Sequence, residues 1–185
     1  IRYKKEYNLI DFNDMILDFT KSDLSPKFDV VFIDEAQDLS LMQWDMARSI
    51  WKKTEDAFIA GDDDQAIFRW AGADVDSFIT LKGEYYPLKQ SYRIPAKVHN
   101  LAMNIINKIK NRIDKTWKPK INEGTLQRHF DVDSIDMSQG DWLVLSRTRH
   151  MLNDIEESLY RQGLYYNNRY KRTNEKDLQE CAVDW

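Results

Sequence analysis

Two short apolar runs flanking one helical stretch constrain this chain more than any other feature. Asp29-Val30-Val31-Phe32-Ile33 is rich in β-branched and aromatic residues, and Ala57-Phe58-Ile59-Ala60 is a second such run, closed by Gly61. Between them, Leu41 to Lys53 places Trp44, Ala47, Ile50 and Trp51 on one side of a helix. Strand, helix, strand at this spacing predicts a βαβ unit: two buried parallel strands joined by a right-handed crossover. The segments following the strands, Asp34-Glu35 and Gly61 to Gln65, then lie at the carboxyl edge, where open α/β sheets bind ligands.

The flanking pattern fits one large domain or two small lobes. Asp11 is placed to cap a helix from Phe12 to Phe19 with Phe12, Met15, Ile16 and Phe19 as its apolar face. Pro95 suits the first turn of a helix running to about Lys110. Residues 114–124 read as a loop, Leu126 to Val132 and Trp142 to Ser146 as strands, and His150 to Gln162 as a helix ended by Gly163. A weaker helical pattern covers Asp177 to Val183.

Composition excludes several classes. With 42% hydrophobic and 12% aromatic residues in 185, the chain is not a disordered one. No apolar run exceeds four residues, so no membrane span is expected. The single cysteine, Cys181, excludes a disulfide framework and points to a reducing, cytoplasmic setting. His99, His129 and His150 are scattered without ligand spacing. The net charge of −4 hides a contrast: residues 1–88 carry 10 basic and 18 acidic side chains, and residues 89–185 carry 17 and 13. That contrast fits lobes at 1–88 and 89–185 with different tasks, and ordinary solvated surface is the plainer alternative. The chain opens on Ile1 rather than methionine, which suggests part of a longer protein.

Three segments carry chemistry. In Val30 to Asp38, VVFIDEAQD, two acids directly follow a strand, an arrangement suited to holding a metal ion and polarising water. A helix N-cap with dipole-favoured acids is the plainer alternative. In Ala60 to Asp74, AGDDDQAIFRWAGAD, three Asp precede Gln65 and an aromatic-Arg-Trp cluster. A turn followed by a short helix burying Ile67, Phe68 and Trp70 is one alternative, and a two-metal nuclease cluster on Asp62, Asp63 and Asp64 is another. In Leu88 to Pro95, LKQSYRIP, Tyr92 and Arg93 stand at the junction of the acidic and basic halves, with a strand end and an ordinary surface Arg as the plainer alternative.

Taken in order, these segments closely resemble motifs II, III and IV of the superfamily 1 DNA helicases of the UvrD/Rep/PcrA type. Asp11 to Ile16, DFNDMI, is similar to the short motif these enzymes carry upstream, and Trp142 to Tyr166 resembles their early second-lobe segment. The resemblance implies an α/β fold of the P-loop NTPase (RecA-like) kind: the C-terminal part of a first lobe over 1–88 and the start of a second over 89–185. It implies ATP and Mg²⁺ as cofactors, single-stranded DNA as partner, and 3′-to-5′ movement driven by ATP hydrolysis in replication or repair. Asp34 then helps hold the metal, Glu35 activates water, and Gln37 and Asp38 complete the family's DExQD signature. Gln65 senses the γ-phosphate, Tyr92 packs on adenine, and Arg93 reaches the γ-phosphate from the second lobe. Trp70 stacks on a DNA base.

Some positions depart from the pattern. Ala71 stands where an arginine is usual, with Arg69 as a partial substitute for DNA contact; Ser91 replaces the usual Asn, and Ala66 and Phe68 replace Ser and Tyr. No GxxxxGK[ST] occurs, so the phosphate loop and motifs V and VI are expected outside this sequence, and the isolated chain is expected to be inactive. Without a neighbouring strand, Ala57 to Ala60 should present an open sheet edge capable of dimerisation. A non-catalytic single-stranded-DNA-binding or interaction module is the competing reading.

Overall fold

The computed structural model describes residues 2–22 and 24–168. The weak helical pattern at Asp177 to Val183 lies outside them. The chain divides into two compact units, Ile1–Thr125 and Leu126–Trp185.

The first unit contains α1 (Arg2–Tyr7), α2 (Phe12–Ser22), β1 (Val30–Ile33), α3 (Leu41–Trp51), β2 (Asp56–Ile59), α4 (Val75–Ile79) and α5 (Ala96–Ile106). The βαβ reading holds: β1 and β2 are parallel, with Val30 opposite Asp56 and Ile33 opposite Ile59. Local sequence explains the helix starts. Asp11 accepts from the Asp14 amide at 3.0 Å while Asp14 accepts from the Asp11 amide at 3.0 Å, a reciprocal cap for α2. Ser40 and Gln43 do the same for α3, and Pro95 stands at the N-cap of α5.

Trp44, fully buried on α3, anchors the core together with Ala36, Ala47 and Val75. Its indole Nε1 donates to the Asp74 carbonyl at 3.1 Å, and Arg48 lies 5.7 Å over its ring. The Asp74 amide in turn donates to the Leu39 carbonyl at 2.8 Å, so the long loop after β2 is folded back onto the start of α3.

The strands are less buried than expected. Phe32 is 77% exposed and Phe58 55% exposed; they are cross-strand partners stacked on each other at 5.1 Å. A two-stranded sheet offers too little area to cover both faces, and the edge of β2 away from β1 pairs with no strand among the described residues. The open edge anticipated at Ala57 to Ala60 is therefore present.

The second unit corrects two expectations. Leu126 to Val132 and Trp142 to Ser146 form no strands, and Leu126, Phe130, Trp142, Leu143 and Leu145 are exposed. Alternating apolar residues become a ladder only when a partner strand supplies hydrogen bonds, and none is placed beside them among the described residues. The helix does form, as α6 (Leu152–Arg161), preceded by a 3₁₀ turn at Arg149–Met151. Gly163 at φ 67° ends it, its amide donating to Tyr160 at 3.0 Å and that of Leu164 to Leu159 at 2.9 Å, a Schellman motif. Asp133 accepts from Ser158 and from Arg161, tying the 3₁₀ turn at Val132–Ser134 to α6. No helix among the described residues is long and apolar enough to cross a membrane.

Candidate active site

β1 delivers Asp34 and Glu35 to the carboxyl edge, and hydrogen bonds past the strand ends keep the following segments in step: Ala60 donates to Ile33 at 2.7 Å and Ala36 to Ala60 at 3.0 Å. Glu35 sits in the left-handed region, at φ 51° and ψ 39°. A non-glycine residue there costs about 1–3 kcal/mol and persists only where neighbours impose it. The neighbours are visible. Asp34 Oδ1 accepts from the Glu35 amide at 2.9 Å, and Gln37 Nε2 donates to Glu35 Oε2 at 2.7 Å. Both carboxylates are solvent-exposed, and neither forms an ion pair among the described residues. Asp38 lies just behind. Burial, and then the charge of Glu35, push its carboxyl above the usual carboxylate range, and its Oδ1 is buried without a partner.

The three consecutive aspartates behave differently. Asp62 caps its own turn by accepting from the Asp64 amide at 3.1 Å. Arg112 grips Asp64 with two bonds of 2.8 Å, Lys115 lies 2.7 Å from Asp62 and 3.1 Å from Asp64 and also bonds Asp63, and the Ile113 amide donates to Asp63 at 2.7 Å. Asp63, Asp64, Arg112 and Lys115 are all largely shielded from solvent at their side chains. Burial works against the Lys115 charge, but bonds from Asp62 and Asp63, with Asp64 behind them, hold its ammonium well above the usual lysine range. Burial likewise works against the Asp64 charge, and Arg112 and then Lys115 overcome it, leaving the carboxyl below its ordinary value.

This corrects the nuclease alternative. The carboxylate oxygens converge within 4.8 Å, as a metal cluster would, but the place of the cation is taken by an ammonium and a guanidinium of the same chain. The Asp34 and Glu35 carboxylates, by contrast, are hard oxygen donors with no cationic side chain against them among the described residues.

Loop residues 65–71 also depart from the plainer alternative. Ile67 is 70% and Trp70 84% exposed, so no short helix buries them. Arg69 is committed to Asp76 through two bonds of 3.2 and 3.1 Å, and Asn111 supports the same carboxylate at 2.7 Å. Gln65 Nε2 donates to Asp62 Oδ2 at 2.7 Å. Farther along the unit, Ser91 Oγ accepts from the amides of Arg93 and Ile94 at 3.3 and 3.1 Å, a turn that displays an exposed Tyr92 and an exposed Arg93. The Arg93 guanidinium has no carboxylate partner among the described residues.

Sequence reasoning missed Lys115, Arg112 and the part played by Gln37. Each acts on a group 25 to 52 residues away, so local spacing carries no signal of it.

Fold and site together define an α/β protein whose two parallel strands end in an acidic pair and a glutamine-bearing loop. The first part of the chain is similar to UvrD/Rep/PcrA helicases: residues 1–86 match the UvrD/REP helicase N-terminal domain. It is 26% identical over 191 residues to the ATP-dependent DNA helicase PcrA of Bacillus subtilis, covering 85% of this chain and 26% of that protein. It is 32% identical over 130 residues to a probable DNA helicase II homologue of Rickettsia conorii, covering 62% of this chain and 20% of the relative. The ATP-dependent DNA helicase Rep of Buchnera aphidicola is 25% identical over 67% of this chain and 21% of its own length. The chain thus spans about a quarter of the length of these relatives.

Proposed function

We propose that this chain is the central part of an ATP-dependent DNA helicase that couples ATP hydrolysis to 3′-to-5′ movement along single-stranded DNA. Residues 1–88 form part of its first lobe and residues 89–185 the beginning of its second. The observation that carries the reading is the different treatment of two acidic groups. Asp62, Asp63 and Asp64 are neutralised by Lys115 and Arg112, whereas Asp34 and Glu35 are exposed with no basic side chain paired to them among the described residues.

In this reading Asp34 holds Mg²⁺, which when bound screens the phosphate charge of ATP. Glu35 accepts a proton from the attacking water, a role worth about 10²–10⁴ in rate. Gln65 exchanges its bond to Asp62 for one to the γ-phosphate. Arg93, a planar permanent cation without a carboxylate partner among the described residues, neutralises charge on the transferred phosphoryl group, and Tyr92 packs against the base. Because the Gln65 amide is held by Asp62 in this structure, its engagement requires the loop to rearrange. That rearrangement is the step that can be linked to DNA, since Trp70 lies five residues farther along the same loop.

Trp70→Ala should raise the single-stranded DNA concentration needed for half-maximal ATPase stimulation by about 5- to 150-fold, the worth of one base–aromatic stack, while the KM for ATP stays within threefold. Equal losses in DNA and nucleotide affinity would contradict a stacking role. The overall reading is tested by ATPase assays on this chain and on a polypeptide that joins it to a phosphate loop and to motifs V and VI. Activity confined to the longer form supports the helicase. DNA binding without hydrolysis in either form would favour the non-catalytic module.

A further inference from the structure

Gln37 is 1% exposed and lies between the two halves of the site. Its amide is used at both ends. Nε2 donates to Glu35 Oε2 at 2.7 Å, and Oε1 accepts from the Asp62 amide at 2.9 Å. Space for this bridge depends on Gly61, where a Cβ would lie 2.6 Å from Gln37 Oε1 and 2.9 Å from the Phe78 ring. The Ala36 amide, bonded to the Ala60 carbonyl at 3.0 Å, forms a second link beside it. Held at both ends and buried, the Gln37 side chain has little room to move.

We infer that Gln37 is a positioning residue that fixes the Glu35 carboxylate and ties it to the start of the loop carrying Gln65 and Trp70. A shift of that loop is then transmitted to Glu35 through one buried amide. The inference rests on the proposed hydrolytic role of Glu35 for its consequence, but not for its geometry. It concerns a buried residue whose side-chain hydrogen bonds go to Glu35 and Asp62.

Two substitutions separate the ends of the bridge. Gln37→Glu keeps an acceptor for the Asp62 amide and loses the donor to Glu35; Gln37→Met keeps the approximate shape and loses both. Amide exchange measured by NMR on this chain should show Asp62 exchanging at least tenfold faster in Gln37→Met, and within threefold of the original rate in Gln37→Glu. The Gln37 side-chain amide protons should exchange at least tenfold faster in Glu35→Ala. In the polypeptide that includes a phosphate loop and motifs V and VI, both Gln37 variants should lower kcat at least tenfold with KM for ATP within threefold. A residue that merely fills space would instead lower activity in step with melting temperature, and activity would recover on cooling. Unchanged exchange at Asp62 in Gln37→Met, or an unchanged kcat in Gln37→Glu, overturns the inference. If the unsubstituted polypeptide has no ATPase activity, the helicase reading fails, and the two exchange measurements decide the bridge by themselves.

Discussion

Lys115→Met should destabilise the first unit by about 3 kcal/mol in chemical denaturation. Breaking a buried ion pair from one side costs about 3–5 kcal/mol because the remaining charge stays buried without compensation. The lower end applies here because the Asp62 side chain is 34% exposed, so water relieves part of the loss, and Arg112 continues to hold Asp64. Methionine retains the packing of the lysine stem, so the change reports the charge. The effect should depend on pH with a definite sign. Asp64 has a folded pKa below its ordinary 3.8, so its contribution is complete above about pH 4 and is lost as pH falls through the lower folded value. Lys115 has a folded pKa above 10.5, so its contribution is complete below that value and is lost as pH rises through the higher folded one. The difference between the original chain and the variant should therefore be flat between about pH 4 and 10 and shrink outside that window. A difference below 0.5 kcal/mol at neutral pH would mean that solvent and Arg112 alone hold the loop.

Glu35→Gln should lower kcat for ATP hydrolysis by about 10²–10⁴, with ATP affinity within threefold. The amide has nearly the same shape and can still meet the Gln37 side chain, but it cannot take a proton from water. Hydrolysis at the original rate would remove Glu35 from the chemistry and with it the reason for its left-handed backbone. Loss of nucleotide binding would point instead to a role for Glu35 in holding the nucleotide and its metal.

Much of the scaffold was legible because it depends on neighbours in sequence. The two apolar runs and the helical spacing between them gave the parallel pair; Asp11, Pro95 and Gly163 marked helix ends because caps are settled within four residues. The carboxyl-edge position of Asp34 and Gln65 followed from the same arithmetic. What depended on distant partners was not legible. Three aspartates in a row say that compensation is needed, but not that Lys115 and Arg112 supply it from some 50 residues away. Gln37 is marked in the sequence only as part of a DExQD run, and its bridging role is not apparent until Asp62 and Gly61 are seen around its amide. Leu126 to Val132 and Trp142 to Ser146 have the composition of strands, yet pairing is a property of two segments, and the alternation in one cannot specify the other.

The central claim is that the acidic pair after β1 is a hydrolytic site whose output is controlled by DNA on the neighbouring loop. The most direct measurement is ATP turnover as a function of single-stranded DNA concentration, made on the polypeptide joining this chain to a phosphate loop and to motifs V and VI, and on its Glu35→Gln variant. The account predicts DNA-stimulated turnover in the first and a loss of at least a hundredfold in the second. Turnover that is indifferent to DNA, or equal in the two proteins, would contradict it.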